Sequence, residues 1–221
     1  MTKPRIAVLI SGQGRNLQAI LDGIADGRIP AVAAGVVSNR PEAAGLARAR
    51  AAGVPSTVVP HAEFAERERF DAALGATLER LRPDVIALAG FMRILGDDLI
   101  RRFRGRLVNI HPSLLPKYRG LSTHRRVLEA GDAEHGASVH YVTEELDGGP
   151  VAIQGRFSVQ PQDDEQTLAE RAMRDIELKI YPQALAWMAR GELLLADGAV
   201  RFRGRPLQSP LGLADLEPEF R

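Results

Sequence analysis

The chain opens on a continuous apolar run, Ile6–Ile10, rich in β-branched residues, which is the pattern of a strand covered on both faces. Ser11-Gly12-Gln13-Gly14-Arg15-Asn16 interrupts it, and Leu17-Gln18-Ala19-Ile20-Leu21 resumes at helical spacing. Val32–Val37 repeats the strand pattern. Pro41–Ala52 reads as a helix stopped by Gly53, and Thr57-Val58-Val59 as a short third strand. Glu63–Arg82 carries a long amphipathic pattern, ended because the residue before Pro83 avoids the α region. Asp84–Ala89 and Arg106–Ile110 are further strand patterns, with a short helix predicted over Asp97–Phe103 between them.

Strand and helix thus alternate through half the chain. That order predicts the α/β class with a doubly wound, mostly parallel sheet built from right-handed crossovers. The second half differs. Ser138–Val142 and Val151–Val159 have no helix-length segment between them, so they predict antiparallel pairing. Asp164–Arg190 predicts a long C-terminal helix, and Glu192–Leu195 with Val200–Phe202 a hairpin around Asp197-Gly198. The tail Pro206–Arg221, with three prolines, predicts an irregular surface segment. No linker or repeat divides the 221 residues, which predicts a single domain over 1–221.

Composition narrows the functions. Hydrophobic content of 45% and charged content of 26% belong to an ordinary globular protein. Lys and Arg number 29 against 28 Asp and Glu, giving a formal charge of +1 and no basic stripe for a nucleic acid. Absence of cysteine excludes disulfides, thiolate nucleophiles and Cys-based zinc sites. No apolar run approaches the ~20 residues needed to cross a bilayer, and the start is too short for a signal-peptide core. The expectation is a cytoplasmic protein with no membrane or nucleic-acid partner.

Three stretches carry candidate chemistry. The Gly12–Asn16 loop sits between strand and helix, where backbone N–H groups and the helix dipole favour an anion. Leu17 replaces the third glycine of the dinucleotide pattern, and Ser38-Asn39-Arg40 stands where a ribose-binding carboxylate belongs, so a monophosphate fits better. A plain tight turn, with Asn16 as helix cap, is the bland alternative. Asn109 and His111 lie two apart on a strand and so share a face, with Pro112 ending the strand. An amide donor beside an imidazole can stabilise developing negative charge and move a proton. Asp147 stands in Glu145-Leu146-Asp147-Gly148-Gly149-Pro150, which by composition is a hairpin turn; nothing in the spacing brings it to His111. A carboxylate there would raise the imidazole pKa.

Ile10–Ile20, Ala89-Gly90-Phe91-Met92-Arg93-Ile94-Leu95, Asn109-Ile110-His111-Pro112-Ser113-Leu114-Leu115-Pro116-Lys117-Tyr118 and Leu146-Asp147-Gly148-Gly149-Pro150 together resemble the phosphoribosylglycinamide formyltransferases. The resemblance runs from about Ile6 to the helix near Trp187. It implies a Rossmann-like formyltransferase domain, with a phosphate-binding half over about 1–105 and a catalytic and folate-binding half over 106–221. The implied reaction passes a formyl group from 10-formyltetrahydrofolate, as co-substrate, to the amine of phosphoribosylglycinamide in purine synthesis, without a metal. Position by position, the resemblance makes Asn109, His111 and Asp147 the catalytic trio. It gives Gly14, Arg15, Asn16 and Glu177 to the phosphoribosylglycinamide, and Arg67, Met92, Arg93, Ile94, Leu95 and Asn109 to the folate.

By residue type alone, Glu177 reads as a solvated helix carboxylate and Arg67 as a surface helix charge. The family often has Ser where Arg15 stands; backbone contacts survive that change, and the guanidinium would pair with a phosphate.

The same trio resembles that of formyltetrahydrofolate hydrolases, which carry a regulatory domain before the first strand, where this chain has five residues before Ile6. Methionyl-tRNA formyltransferases add a C-terminal RNA-contacting domain, where about thirty residues follow Trp187 here. A non-catalytic folate- or nucleotide-sensing module is the other alternative. Small-molecule substrates and a monomer or weak homodimer are expected.

Overall fold

The computed structural model describes residues 2–221, which divide after Asn109 into two compact units. In the first unit the strands are β1 (Arg5–Ile10), β2 (Val32–Ser38), β3 (Ser56–Val58), β4 (Val85–Leu88) and β5 (Leu107–His111), whose last two residues pass into the second unit. They pair in parallel in the order β3-β2-β1-β4-β5. Ile6 to Ile10 are wholly buried, as a continuous apolar run requires of a central strand. Between the strands run α1 (Arg15–Ala25), α2 (Gly45–Ala51), α3 (Arg67–Leu81) and α4 (Asp97–Arg102), the alternation expected of a doubly wound α/β fold.

Two of these helices begin later than their patterns predict. The Ser38 hydroxyl donates to the Arg40 carbonyl at 2.8 Å and accepts from the Arg40 N–H at 3.1 Å, building a turn that delays α2 to Gly45. His61–Glu63 forms a separate turn of 3₁₀ helix, and Phe64 is extended, with its ring edge-on to Phe70 at 5.9 Å between centroids. α3 therefore starts at Arg67 rather than Glu63, and ends at left-handed Arg82 before Pro83.

The second unit holds α5 (Thr123–Ala130), which the pattern did not predict, and the antiparallel pair β6 (Glu134–Tyr141) and β7 (Val151–Ser158), which it did. Asp164 accepts the Thr167 N–H at 2.7 Å and caps α6 (Glu165–Arg171). The helix continues through a π-helical stretch, Ala172–Glu177, into α7 (Leu178–Ala189). It buries Leu168, Ile176, Ile180 and Leu185. Beyond it β8 (Leu193–Ala196), β9 (Ala199–Phe202) and β10 (Arg205–Pro206) make a small antiparallel sheet.

The tail is irregular but not merely superficial. Leu216 and Phe220 are buried, Leu211 bridges Ile153, and Glu217 accepts from Gln183 at 3.2 Å, the Trp187 indole at 3.0 Å and Arg190 at 2.5 Å. Among the described residues no helix is long and apolar enough to cross a membrane.

Candidate functional site

In the first unit, Gly14 adopts the left-handed conformation (φ 72°, ψ 35°) at the cap position of α1. A side chain there would be strained, and its Cβ would lie 2.8 Å from Gly45 Cα. The cap position thus belongs to Gly14. Asn16 is a buried residue inside the helix and does not cap it. Arg15 is exposed, and Leu17 is fully buried where a dinucleotide loop would carry glycine.

The Ser11 hydroxyl donates to Asn39 Oδ1 at 2.5 Å and accepts the Met92 N–H at 2.7 Å, which ties the end of β1 to the Phe91–Leu95 segment. Arg67 is engaged on that segment as well. Its Nη2 donates to the Leu95 carbonyl at 2.6 Å, and its Nε is 3.6 Å from Asp71, whose carboxylate accepts the Gly96 N–H at 2.8 Å. Burial raises the Asp71 pKa, against the pull of Gly96 and Arg67. Leu95 is buried, whereas Met92 and Ile94 are each 57% exposed and Arg93 is exposed beside them. The segment thus presents two large apolar side chains to solvent from a backbone held by side-chain hydrogen bonds.

In the second unit, His111 ends β5 almost completely buried. Its Nε2 donates to the Tyr118 carbonyl at 2.9 Å, and its Nδ1 is 3.4 Å from Asp147 Oδ2. The loop between them is tied down by hydroxyls: Ser113 donates to the Lys117 carbonyl at 2.7 Å, and Ser138 on β6 to the Ser113 carbonyl at 2.7 Å. Asp147 has a positive φ of 47°, and Oδ2 accepts the Gly120 N–H at 2.9 Å. Of the two following glycines, Gly149 is sterically required by the backbone, whereas Gly148 meets only the mobile end of the Glu145 side chain. A Cβ on Gly148 would lie 2.4 Å from the Glu145 carboxyl carbon, and one on Gly149 1.8 Å from the Tyr141 carbonyl.

Burial is the largest influence on both titrating groups, with opposite results. It holds His111 below its ordinary pKa, even though the Tyr118 carbonyl and Asp147 pull upward. The expected upward pull of Asp147 is therefore real but outweighed. For Asp147, burial pushes up, but the His140 ring, the Gly120 N–H and the nearby imidazoles prevail and hold it below the usual carboxylate value.

The spacing gave no hint of His140 on β6. Its Nδ1 donates to the Tyr141 carbonyl at 3.1 Å, and its Nε2 is 3.6 Å from Asp147 Oδ1. Asn109 stands two residues before His111 on the same strand, half-buried. Among the described residues no three His, Cys, Asp or Glu side chains are grouped to hold a metal.

A buried imidazole against a carboxylate is a proton-handling device, and residues 4–185 match the formyl transferase family. The chain belongs to that family. It is similar to the phosphoribosylglycinamide formyltransferase of Haemophilus influenzae, 45% identical over 203 residues, covering 92% of this chain and 95% of the relative. The enzyme of the same name from Escherichia coli is 46% identical over 209 residues, covering 95% and 98%. The solved phosphoribosylglycinamide formyltransferase of Coxiella burnetii superposes with a TM-score of 0.90 at 47% identity, covering 95% of this chain and 99% of that one. The mostly parallel α/β fold and the resemblance read from the motifs both agree with these relatives.

In this formyl transferase Glu177 is not the solvated carboxylate its residue type suggests. It is 6% exposed, at the end of the π-helical stretch, and its charge adds to burial in raising the wholly buried Tyr181 hydroxyl well above its ordinary pKa. A π turn rotates the following residues relative to α-helical phase and is frequent at functional sites. The sequence carries no local sign of it.

Proposed function

We propose that this formyl transferase moves the formyl group of 10-formyltetrahydrofolate onto the amine of 5'-phosphoribosylglycinamide, the one-carbon step that serves purine (IMP) synthesis. The observation that carries this reading is identity of 45–46% along nearly the whole length of two enzymes named for that reaction. The alternatives of a formyltetrahydrofolate hydrolase and a non-catalytic sensing module gain nothing from those relatives.

The assigned residue types support the following chemistry. The substrate amine attacks the formyl carbon, forming a C–N bond and a tetrahedral oxyanion. The Asn109 amide donates to that oxygen, and His111, once charged, stabilises it; one such donor is typically worth ~10²–10³ in rate. The amine's proton passes through a water to Asp147 and from there to N10 of the folate, and the intermediate collapses by breaking the C–N10 bond, so that tetrahydrofolate leaves carrying that proton. General acid–base help of this kind contributes ~10²–10⁴-fold. The resting His111 is biased to the neutral form by burial, so the charge it needs is drawn in by the negative oxyanion and Asp147.

The glycine loop supports the substrate roles assigned to Gly14, Arg15 and Asn16, since the first N–H groups of a helix suit a phosphate. The exposed Met92 and Ile94, with Arg93 and Leu95, are assigned to the pterin end of the folate, and Arg67 to its carboxylates. The burial of Glu177 supports its assignment to the glycinamide amine. The protein acts in the cytoplasm as a monomer or weak homodimer, and its phosphate-binding and catalytic halves work as one formyltransferase domain. The test is transfer of an isotopically labelled formyl carbon from the folate to the glycinamide product. Label recovered as formate instead contradicts the proposal.

A further inference from the structure

The glycine loop is held from behind by α2. Three consecutive carbonyls of the loop are occupied, two by α2 and one by α1 itself. The Gly12 carbonyl accepts the Gly45 N–H at 3.0 Å, and the Gly14 carbonyl accepts the Gln18 N–H at 2.9 Å. Between them, the Gln13 carbonyl accepts from Nε of Arg48 on α2 at 2.9 Å. The guanidinium reaches further, with Nη1 donating to Gln18 Oε1 at 3.2 Å, and Gln18 Nε2 donates in turn to Asp22 at 2.8 Å. A Cβ on Gly14 would lie 3.5 Å from Arg48 Cδ, so the arginine stem runs alongside the loop.

A trans peptide aims its C=O and N–H in opposite directions. Fixing the carbonyls of Gly12, Gln13 and Gly14 therefore fixes the N–H groups of Gln13, Gly14 and Arg15 on the opposite side of each peptide plane. Successive N–H groups around a left-handed residue make an anion-binding concavity, and Gly14 is that residue. Two of the three carbonyls are held by backbone. The third, in the Gln13–Gly14 peptide, is held by a side chain.

We propose that Arg48 is a positioning residue for the substrate phosphate: its guanidinium fixes the Gln13–Gly14 peptide so that the Gly14 N–H faces the anion. This rests on the reading of the glycine loop as the phosphate subsite. Arg48 acts through the loop backbone and touches neither reacting group.

The experiment compares the wild-type enzyme with Arg48→Met, which keeps the stem and loses the donors, and Arg48→Lys, which keeps one donor and the charge. Each is assayed with phosphoribosylglycinamide and with its dephosphorylated riboside, over a range of salt. Arg48→Met is expected to raise KM for the phosphorylated substrate about tenfold, the effect of one charge-assisted hydrogen bond. The preference over the riboside narrows equally, while kcat at saturation and KM for the folate stay within about twofold. Arg48→Lys recovers part of the loss, and the remainder persists at high salt; if the Met variant does not fold, the Lys variant carries the test.

An unchanged KM for the phosphorylated substrate in a variant with wild-type melting behaviour overturns the proposal. Full recovery by Lys, with the Met defect vanishing at high salt, also overturns it by reducing Arg48 to a distant charge. A wild-type enzyme that does not distinguish the two substrates shows instead that the phosphate reading itself fails.

Discussion

His111 Nδ1 faces Asp147 Oδ2 at 3.4 Å while its other ring nitrogen donates to the Tyr118 carbonyl at 2.9 Å. A carbonyl only accepts, so the neutral ring keeps its proton on Nε2, and the nitrogen facing Asp147 gains one only when the ring is charged. His140 repeats the arrangement, with Nδ1 on the Tyr141 carbonyl and Nε2 toward Asp147 Oδ1. Asp147 thus stands between two imidazoles that both turn their unprotonated edge to it in the neutral state.

Asp147→Asn keeps the shape of the cluster and removes its charge. Turnover is expected to fall ~10²–10⁴-fold, with KM for the folate nearly unchanged. Steady-state kinetics on both substrates check this. Wild-type turnover in the variant removes Asp147 from the chemistry.

His135 on β6 is wholly buried, with Nε2 2.8 Å from His124 Nδ1. Burial first, and then the neighbouring His124, pull its pKa down to about 4. The unfolded chain binds a proton here below its ordinary pKa of about 6.5, whereas the folded chain refuses it until about 4. Stability is therefore full above about pH 6.5 and is lost as pH falls through that window, by about 3 kcal/mol at ~1.4 kcal/mol per unit. Urea unfolding between pH 7.5 and 4.5 should show this slope in the wild type and a shallower one in His135→Gln. Equal slopes would exclude His135 as the cause.

A Cβ on Gly45 would lie 2.6 Å from Ile10 Cδ1 and 3.3 Å from both the Gly12 carbonyl and Gly14 Cα. Gly45→Ala should cost ~1–3 kcal/mol of stability, the usual range for overpacking. It should also raise KM for the phosphorylated substrate, because the displaced helix carries the N–H that holds the Gly12 carbonyl. Thermal melts and KM values check both parts. A stable variant with unaltered KM would mean that the loop tolerates a looser contact.

Glu177→Gln is nearly isosteric and keeps the buried site filled. With the carboxylate assigned to the substrate amine, it should raise KM for phosphoribosylglycinamide about tenfold, the worth of one charged hydrogen bond, and spare KM for the folate. A change confined to melting temperature would make Glu177 purely structural.

The central strands were legible because strands covered on both faces must be apolar throughout, as Ile6–Ile10 is. α5 was not, because only Thr123 and Val127 of its eight residues are buried, too few to print a helical stripe. The late starts of α2 and α3 follow from a Ser38 side-chain turn and an extended Phe64, which compete with helix locally.

At the site, Asn109 and His111 could be placed on one face from strand alternation alone. The turn of Asp147 toward His111 depends on a positive φ and on Gly149, which admits close backbone approach, so it is set by the fold rather than by spacing. His140 lies on a strand buried along nearly its whole length, where no polar-outward alternation singles it out. The burial of Glu177 belongs to a π turn, which a 3.6-residue periodicity cannot anticipate.

The central claim is formyl transfer to a specific amine. The most direct measurement is tetrahydrofolate release from 10-formyltetrahydrofolate, followed with and without phosphoribosylglycinamide. Release that requires the acceptor and matches the formylated product one for one is the predicted result. Release at the same rate without the acceptor would contradict it and identify the activity as hydrolysis.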